Sequence, residues 1–544
     1  MKGLSNRSRL HVVIFLIAAS IAWAVINLVT LVRYPLLTCD ESFYAMGGSR
    51  IINIILGIPT TIPDRNYFEM LLPYGRLNLI GIGLYGLLPI SKAFTARLWG
   101  FTGWVLAILG TYWTARKLWL ANLALWPAAL TATAWMMVFY GHNGRPHIWV
   151  GAIAIVSLGV LASALDAPRP GLLMLVTALP AFMLDFHLNS IHVLIANTVI
   201  ASAVLISRGK WKEIGWLVLG GLVVTPVLFV WRFVPRPDDF IHLLRTPNPL
   251  SIMSTYAYAS VDASILQVLL MRIPQHLVGF INWWIFVYAP QPVGIIQALF
   301  FLFGIATAVL HRNRYHRLAA AYYLLIILSF IMLVNYQWTT YAVPWIPVLI
   351  VLGVFGVQWL TQLNIPKIPS TWIPWMASGL LGALLLLYLG GDALLLRRPT
   401  NDRFFTVAHD LAQRVPPRST ILAETTWWFG LPEASYSDEQ LALQGKLPSE
   451  VAIRASIQPP ALAEQIVRDE IKPDYVLSDQ LIGCQDTPTP QALALEDFVA
   501  AHCELVQVYS VDRPNGEVRE AHLYNCRPDQ SMEHQDGGRV TGLD

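Results

Sequence analysis

The feature that most constrains this chain is a succession of apolar segments, each about long enough to cross a bilayer, separated by short polar loops. The first runs from His11 to Val32 without a charged residue, behind a basic stretch carrying Lys2, Arg7 and Arg9. About 20 such residues in a helix span the roughly 30 Å hydrocarbon core. The segment is longer than the apolar part of a cleavable signal, and its basic flank sets the N-terminus in the cytoplasm. Further segments fall near 97–115, 121–139, 148–165, 171–185, 192–206, 214–232, 290–310, 318–334, 341–361 and 372–391. With the first they make about eleven spans. Inside a bilayer the backbone has no water to bond, so the expected fold class is an α-helical polytopic membrane protein. A chain 55% hydrophobic and 13% charged, with 20 Trp and 20 Tyr, agrees. A formal net charge of +3 gives no footing for nucleic acid.

Topology turns on Leu77 to Pro89, which is short and glycine-rich. Were it to cross, the basic clusters Arg116-Lys117, Arg208-Gly-Lys210-Trp-Lys212 and Arg312-Asn-Arg314-Tyr-His-Arg317 would all lie outside, against the positive-inside rule. It is therefore read as a helix lying in the outer interface. The acids then segregate. Of the ten Asp and Glu in residues 1–391, eight fall on the outer side: Asp40, Glu41, Asp64, Glu69, Asp185, Asp238, Asp239 and Asp262. Carboxylates at the water edge of a helix bundle are functional candidates by default. The densest group lies between Tyr34 and Asn78, where Asp40 and Glu41 follow the first span and Glu69 precedes the interfacial helix.

Beyond residue 391 the composition regains ordinary polarity. Periodicity predicts helices near 402–414, 461–470 and 490–501, with strands at Ser419–Ala423, Asp474–Leu477 and near 504–511 and 519–525. The organisation is thus a membrane domain, 1–391, with the acidic motif in outer loop 33–96, then a small extracytoplasmic α/β domain, 392–528, and a disordered tail, 529–544. Cys484, Cys503 and Cys526 lie in that part; a Cys503–Cys526 bridge would close the last hairpin, although spacing alone does not choose the pair.

Several short stretches resemble the GT-C superfamily of polyprenyl-phosphate-sugar-dependent glycosyltransferases, in particular the branch of the lipid A aminoarabinose and protein O-mannosyltransferases. Asp40-Glu41 with Tyr44 is similar to the acidic motif of the first outer loop, and Tyr67-Phe68-Glu69 with Pro73-Tyr74 to the second acidic element. Thr95-Ala96-Arg97-Leu98-Trp99 resembles the start of the next span, Gly144-Arg145-Pro146 an Arg-centred motif, and Asn335–Pro347, which contains Tyr341, a late Tyr/Pro outer segment. One departure is that His147 follows Arg145-Pro146 where relatives carry a carboxylate, and no acid occurs between Met70 and Leu165. A hard cation wants several oxygen ligands. The resemblance therefore points to a metal-independent member rather than one that holds a divalent metal.

The chemistry so implied is an inverting transfer. An acceptor hydroxyl attacks the anomeric carbon of a sugar on a polyprenyl phosphate, and a carboxylate takes its proton. Asp40 is the expected base, with Glu41 or Glu69 positioning the acceptor. Arg145, backed by Arg245 and Arg272 from outer loop 233–289, is expected to meet the leaving phosphate. His142, His147, His187 and Tyr341 complete the substrate-binding candidates. The implied partners are a polyprenyl-phosphate sugar, a lipid, glycan or protein acceptor, and membrane lipids, at the plasma or inner membrane with the C-terminal domain outside. There is no P-loop, G-x-G-x-x-G, H-E-x-x-H or C-x-x-C. A transporter or flippase, or a scaffold whose outer domain binds a partner, are the competing readings. The lack of paired halves with matching broken helices argues against a transporter.

Overall fold

The computed structural model describes residues 6–527 except 59–75, 119, 121–122, 188, 234–264, 283–291, 312, 334–342, 363–368, 370–371, 396–400, 418, 424, 432–434, 439–467, 469–471, 479–497 and 513–517. The helices in chain order are α1 (Asn6–Thr30), α2 (Cys39–Leu56), α3 (Arg76–Tyr85), α4 (Lys92–Lys117), α5 (Leu125–Thr133), α6 (Trp135–Gly141), α7 (His147–Asp166) and α8 (Pro170–Phe182). They continue with α9 (Ser190–Ser207), α10 (Trp211–Phe233), α11 (Ile265–Asn282), α12 (Val293–Leu310), α13 (Arg314–Leu333), α14 (Ile346–Leu360), α15 (Ile373–Leu395) and α16 (Asp402–Arg414). Five strands follow: β1 (Thr420–Ala423), β2 (Ser435–Asp438), β3 (Tyr475–Ser478), β4 (Glu504–Asp512) and β5 (Val518–Asn525). Among the described residues seven helices are long and apolar enough to cross a membrane. The ten-residue α3 reaches only about 15 Å at 1.5 Å per residue, half a span.

The chain divides into two compact units that do not follow chain order. One comprises residues 1–29, 100–142 and 146–397; the other comprises 30–99, 143–145 and 398–544.

The first unit is a helix bundle with one contiguous apolar core, in which Trp104, Phe301, Phe330, Trp345 and Phe355 are almost fully buried. Its two ends differ chemically. At one end Arg314 pairs with Asp166 at 3.1 Å, Tyr315 donates to the same carboxylate, and Arg208 donates to the Leu165 carbonyl at 2.6 Å. The basic loops assigned to the cytoplasm thus meet there. At the opposite ends of these helices, Pro344 packs on Gly151 and the His147 and His187 rings lie 4.6 Å apart. The segment expected as one helix over 121–139 is instead two, broken at Ala134, whose ψ of 123° is extended. The Thr133 hydroxyl bonds back to the Ala129 carbonyl, and Trp23 donates to the Ala132 carbonyl, so side chains occupy backbone acceptors where the helix stops.

The second unit joins the stretch 30–99 to the C-terminal sheet. Its strand order is β2-β1-β3-β5-β4, with β1, β2 and β3 parallel and β5 antiparallel to both β3 and β4. β2 is absent from the sequence expectation. Its four residues, Ser-Tyr-Ser-Asp, carry no apolar alternation, and it is held by pairing to β1 along one edge. The expected helix at 461–470 and the start of that at 490–501 lie outside the described residues. Helix α16 buries Val407, Ala408 and Leu411. It is tied to β4 by Tyr509, which donates to Asp410 at 2.7 Å, and by Arg403 on Asp512. The Cys503–Cys526 disulfide joins the residues flanking the Glu504–Asn525 pair of β4 and β5.

Candidate active site

The second unit builds its most constrained region around the start of α2. Thr38 occupies the N-cap position with extended backbone (φ −121°, ψ 152°), and the first turn closes as the Glu41 and Ser42 amides donate to the Thr38 carbonyl. Asp40 and Glu41 are therefore the second and third residues of a helix, where the unpaired amides and macrodipole favour negative charge. Glu41 is fully buried, and both its oxygens are taken by Arg97 of α4: Nε at 2.7 Å and Nη2 at 3.1 Å. The remaining Arg97 nitrogen, Nη1, donates to the Leu31 and Val32 carbonyls at 2.9 and 3.3 Å. One guanidinium thus ties the α2 turn to the segment leading into it. A forked, doubly bonded pair of this kind holds geometry tightly, and removing one partner would strand the other charge in a dry site.

Close backbone packing fixes the other side of α2. A Cβ on Gly48 would lie 2.5 Å from the Leu79 carbonyl oxygen and 2.8 Å from the Gly83 nitrogen, so α2 and α3 touch where only glycine fits. Trp99 packs over Gly81 and donates to Asn78 at 2.8 Å, fixing α3 to α4. Arg50 and Arg76 are also buried in this unit. Arg145 belongs to it as well. Its amide donates to Asn143 Oδ1 at 3.1 Å, and Gly144 sits against the Ala96 carbonyl and Ile82. Asn143 is 1% exposed, and its Nδ2 has no hydrogen-bond partner among the described residues.

Of the residues expected to act, the second unit therefore gathers Asp40, Glu41 and Arg145. His142, His147 and His187 belong to the first. His142 places Nδ1 against the Val138 carbonyl and Nε2 against the Asn27 carbonyl, both at 2.9 Å, so its ring is used within the bundle. His147 contacts Tyr140 and His187 edgewise or tilted. His187 accepts from the Asn189 amide at Nδ1, and burial lowers its pKa to about 4. His192 donates through Nδ1 to Ser329, because the Ser329 hydroxyl is itself spent on the Ile326 carbonyl. Arg272 lies on α11, while Glu69, Arg245 and Tyr341 fall outside the described residues. Among the described residues no three His, Cys, Asp or Glu side chains converge at metal-binding range, and Asp64 and Glu69, which a two-loop carboxylate site would need, lie outside them.

Two residues that sequence reasoning did not single out as site residues hold this region. Arg97 had a signal, since a charge inside an otherwise apolar span must find a partner. Asn401, which bonds to the loop before α2, had none.

No protein-family model matches the sequence, and no curated protein sequence matches it. Solved structures do match. The likeness is one of fold, a helical membrane domain with a small C-terminal sheet domain. It is similar to ArnT from Cupriavidus metallidurans bound to undecaprenyl phosphate, with a TM-score of 0.57 at 17% identity over 94% of this chain and 97% of that one. The apo state of the same enzyme gives 0.58 over 95% and 98%. The oligosaccharyltransferase of Archaeoglobus fulgidus gives 0.47 at 11% identity, over 92% of this chain and 72% of that one.

Proposed function

We propose that the chain is an inverting glycosyltransferase that moves a sugar from a polyprenyl-phosphate carrier to an acceptor on the extracytoplasmic side. The observation that carries this reading is the doubly bonded, buried Glu41–Arg97 pair at the start of α2, directly after Asp40. With Glu41 taken by Arg97, the base is assigned to Asp40, one residue earlier on the same helix start. The near full-length likeness to a GT-C structure with a bound polyprenyl phosphate supports the choice of carrier.

In this mechanism Asp40 accepts the proton of the attacking hydroxyl as the bond to the anomeric carbon forms, and the phosphate leaves from the opposite face. General-base help of this kind contributes typically about 10²–10⁴-fold. Arg145 stabilises the departing phosphate through its forked donors. Glu41 acts through Arg97 to hold Asp40 in place rather than touching the acceptor. Glu69, Arg245, Arg272 and Tyr341 remain substrate-side assignments within the same proposal, and no step is routed through a metal.

The test is release of undecaprenyl phosphate. Purified full-length protein in lipid nanodiscs is given undecaprenyl-phosphate-linked hexose, pentose or aminopentose with envelope extract as acceptor. Time-dependent release from at least one donor is expected, with a loss of 10-fold or more in Arg145→Gln. Wild-type protein that binds undecaprenyl phosphate no better than phosphatidylglycerol, and releases none from any donor, contradicts the reading.

A further inference from the structure

Asn401 is the N-cap residue of α16, the first helix of the C-terminal part, yet its side chain makes no capping bond to that helix. Asparagine is favoured at this position because its oxygen satisfies a free amide of the first turn. Here every polar atom of the side chain is directed across the chain to the loop before α2. Nδ2 donates to the Val32 carbonyl at 2.6 Å and the Pro35 carbonyl at 2.8 Å, while Oδ1 accepts from the Leu37 amide at 3.0 Å. The Asn401 amide adds a fourth bond, to the Arg33 carbonyl at 3.1 Å. The residue is 1% exposed, so these bonds are made away from competing water. The neighbouring Arg33–Asp402 pair spans the same junction, but its side chains are 61% and 63% exposed, and such pairs contribute little.

The bonded atoms belong to residues 32, 33, 35 and 37, and the α2 cap follows at Thr38, two residues before Asp40. Arg97 holds Leu31 and Val32 at the start of the same loop. Asparagine alone offers two donors and an acceptor at this reach. Aspartate has the same shape but sets a charged oxygen against two carbonyls.

We propose that Asn401 is a positioning residue for Asp40: it fixes the loop that delivers the base, and so makes the C-terminal part a component of the catalytic apparatus. This rests on the reading of Asp40 as the base. It acts on the step in which Asp40 takes a proton, not on donor binding, and its signature is therefore a split between kcat and KM.

Asn401→Ala and the isosteric Asn401→Asp are compared with wild type in nanodiscs, using undecaprenyl-phosphate-linked sugar as donor and hydrogen exchange at the amides of 36–42 as a second readout. Both variants are expected to lose 10- to 100-fold in kcat with the donor KM within about twofold. Exchange at 36–42 should rise by at least tenfold. Measured relative to wild type at the same pH, Asn401→Asp should recover part of its rate as the pH is lowered and the new carboxyl regains a proton to donate, whereas Asn401→Ala should not. Variants with kcat within twofold of wild type overturn the proposal, as does a fall in thermal stability with kcat and exchange unchanged. If wild type transfers nothing, the reading of Asp40 fails separately; unaltered exchange at 36–42 in both variants would then also dispose of the positioning role.

Discussion

Two buried carboxylates, one in each unit, show what the two regions are built to do. Glu41 in the second unit is fully buried and meets a forked guanidinium with both oxygens. Asp392 in the first unit is 1% exposed, and among the described residues neither of its oxygens has a hydrogen-bond partner; the Tyr388 hydroxyl one turn away has none among them either. The core of the helix bundle is held mainly by apolar contact. The start of α2 is held by directed bonds, from Arg97 on one side and Asn401 on the other. Apolar packing defines a shape, whereas convergent charged bonds fix individual atoms, and a base that must meet one proton needs the second kind of support.

The contrast breaks most sharply at the ion pair. Glu41→Gln or Arg97→Met leaves one charge buried and alone, at a cost of about 3–5 kcal/mol, whereas the double replacement Glu41→Leu with Arg97→Met is expected to recover most of that stability without recovering transfer. Thermal midpoints and monodispersity of the three variants decide it; single variants as stable as wild type would show that the pair is not what secures α2. Next in size is the Cys503–Cys526 bridge, which closes a 23-residue separation. Its replacement by Ser should cost the sheet about 3 kcal/mol, read as earlier proteolysis of the C-terminal part with the bundle intact.

Asp392→Asn should move the other way, leaving stability unchanged or raising it by about 1 kcal/mol, since no favourable partner among the described residues is lost. A marked fall would mean that the charge is matched after all, and that the two regions are alike. The smallest effect concerns His187. Burial keeps its folded-state pKa at about 4, below the ordinary value near 6.5, so the unfolded chain takes up a proton first as pH falls. Stability should be insensitive to this group above pH 6.5 and decline from there towards pH 4. His187→Gln should flatten that decline, and a pH profile identical in both proteins would remove the effect.

The sequence made the bundle legible because apolar length is a local property. Helix α16 and the strands from Thr420, Tyr475, Glu504 and Val518 were also close to expectation, as each carries its own periodicity. The break at Ala134 was not legible, and the Trp23 side chain that takes the Ala132 carbonyl beside it comes from more than 100 residues away. The site divides in the same manner. Asp40 and Glu41 announced themselves by position, but the fate of Glu41 follows from Arg97, which lies 56 residues beyond it. Asn401 carried no signal at all. An asparagine before an amphipathic helix reads as an ordinary cap, and only the fold reveals that it serves a loop more than 360 residues earlier.

The account stands or falls on position 40. Single-turnover transfer from undecaprenyl-phosphate-linked sugar should be measured for Asp40→Asn in nanodiscs, with donor binding followed in the same sample. The predicted result is donor affinity within twofold of wild type and a transfer rate reduced at least about 100-fold, the loss expected when a general base is removed. A variant that binds donor normally and transfers within twofold of the wild-type rate would contradict it.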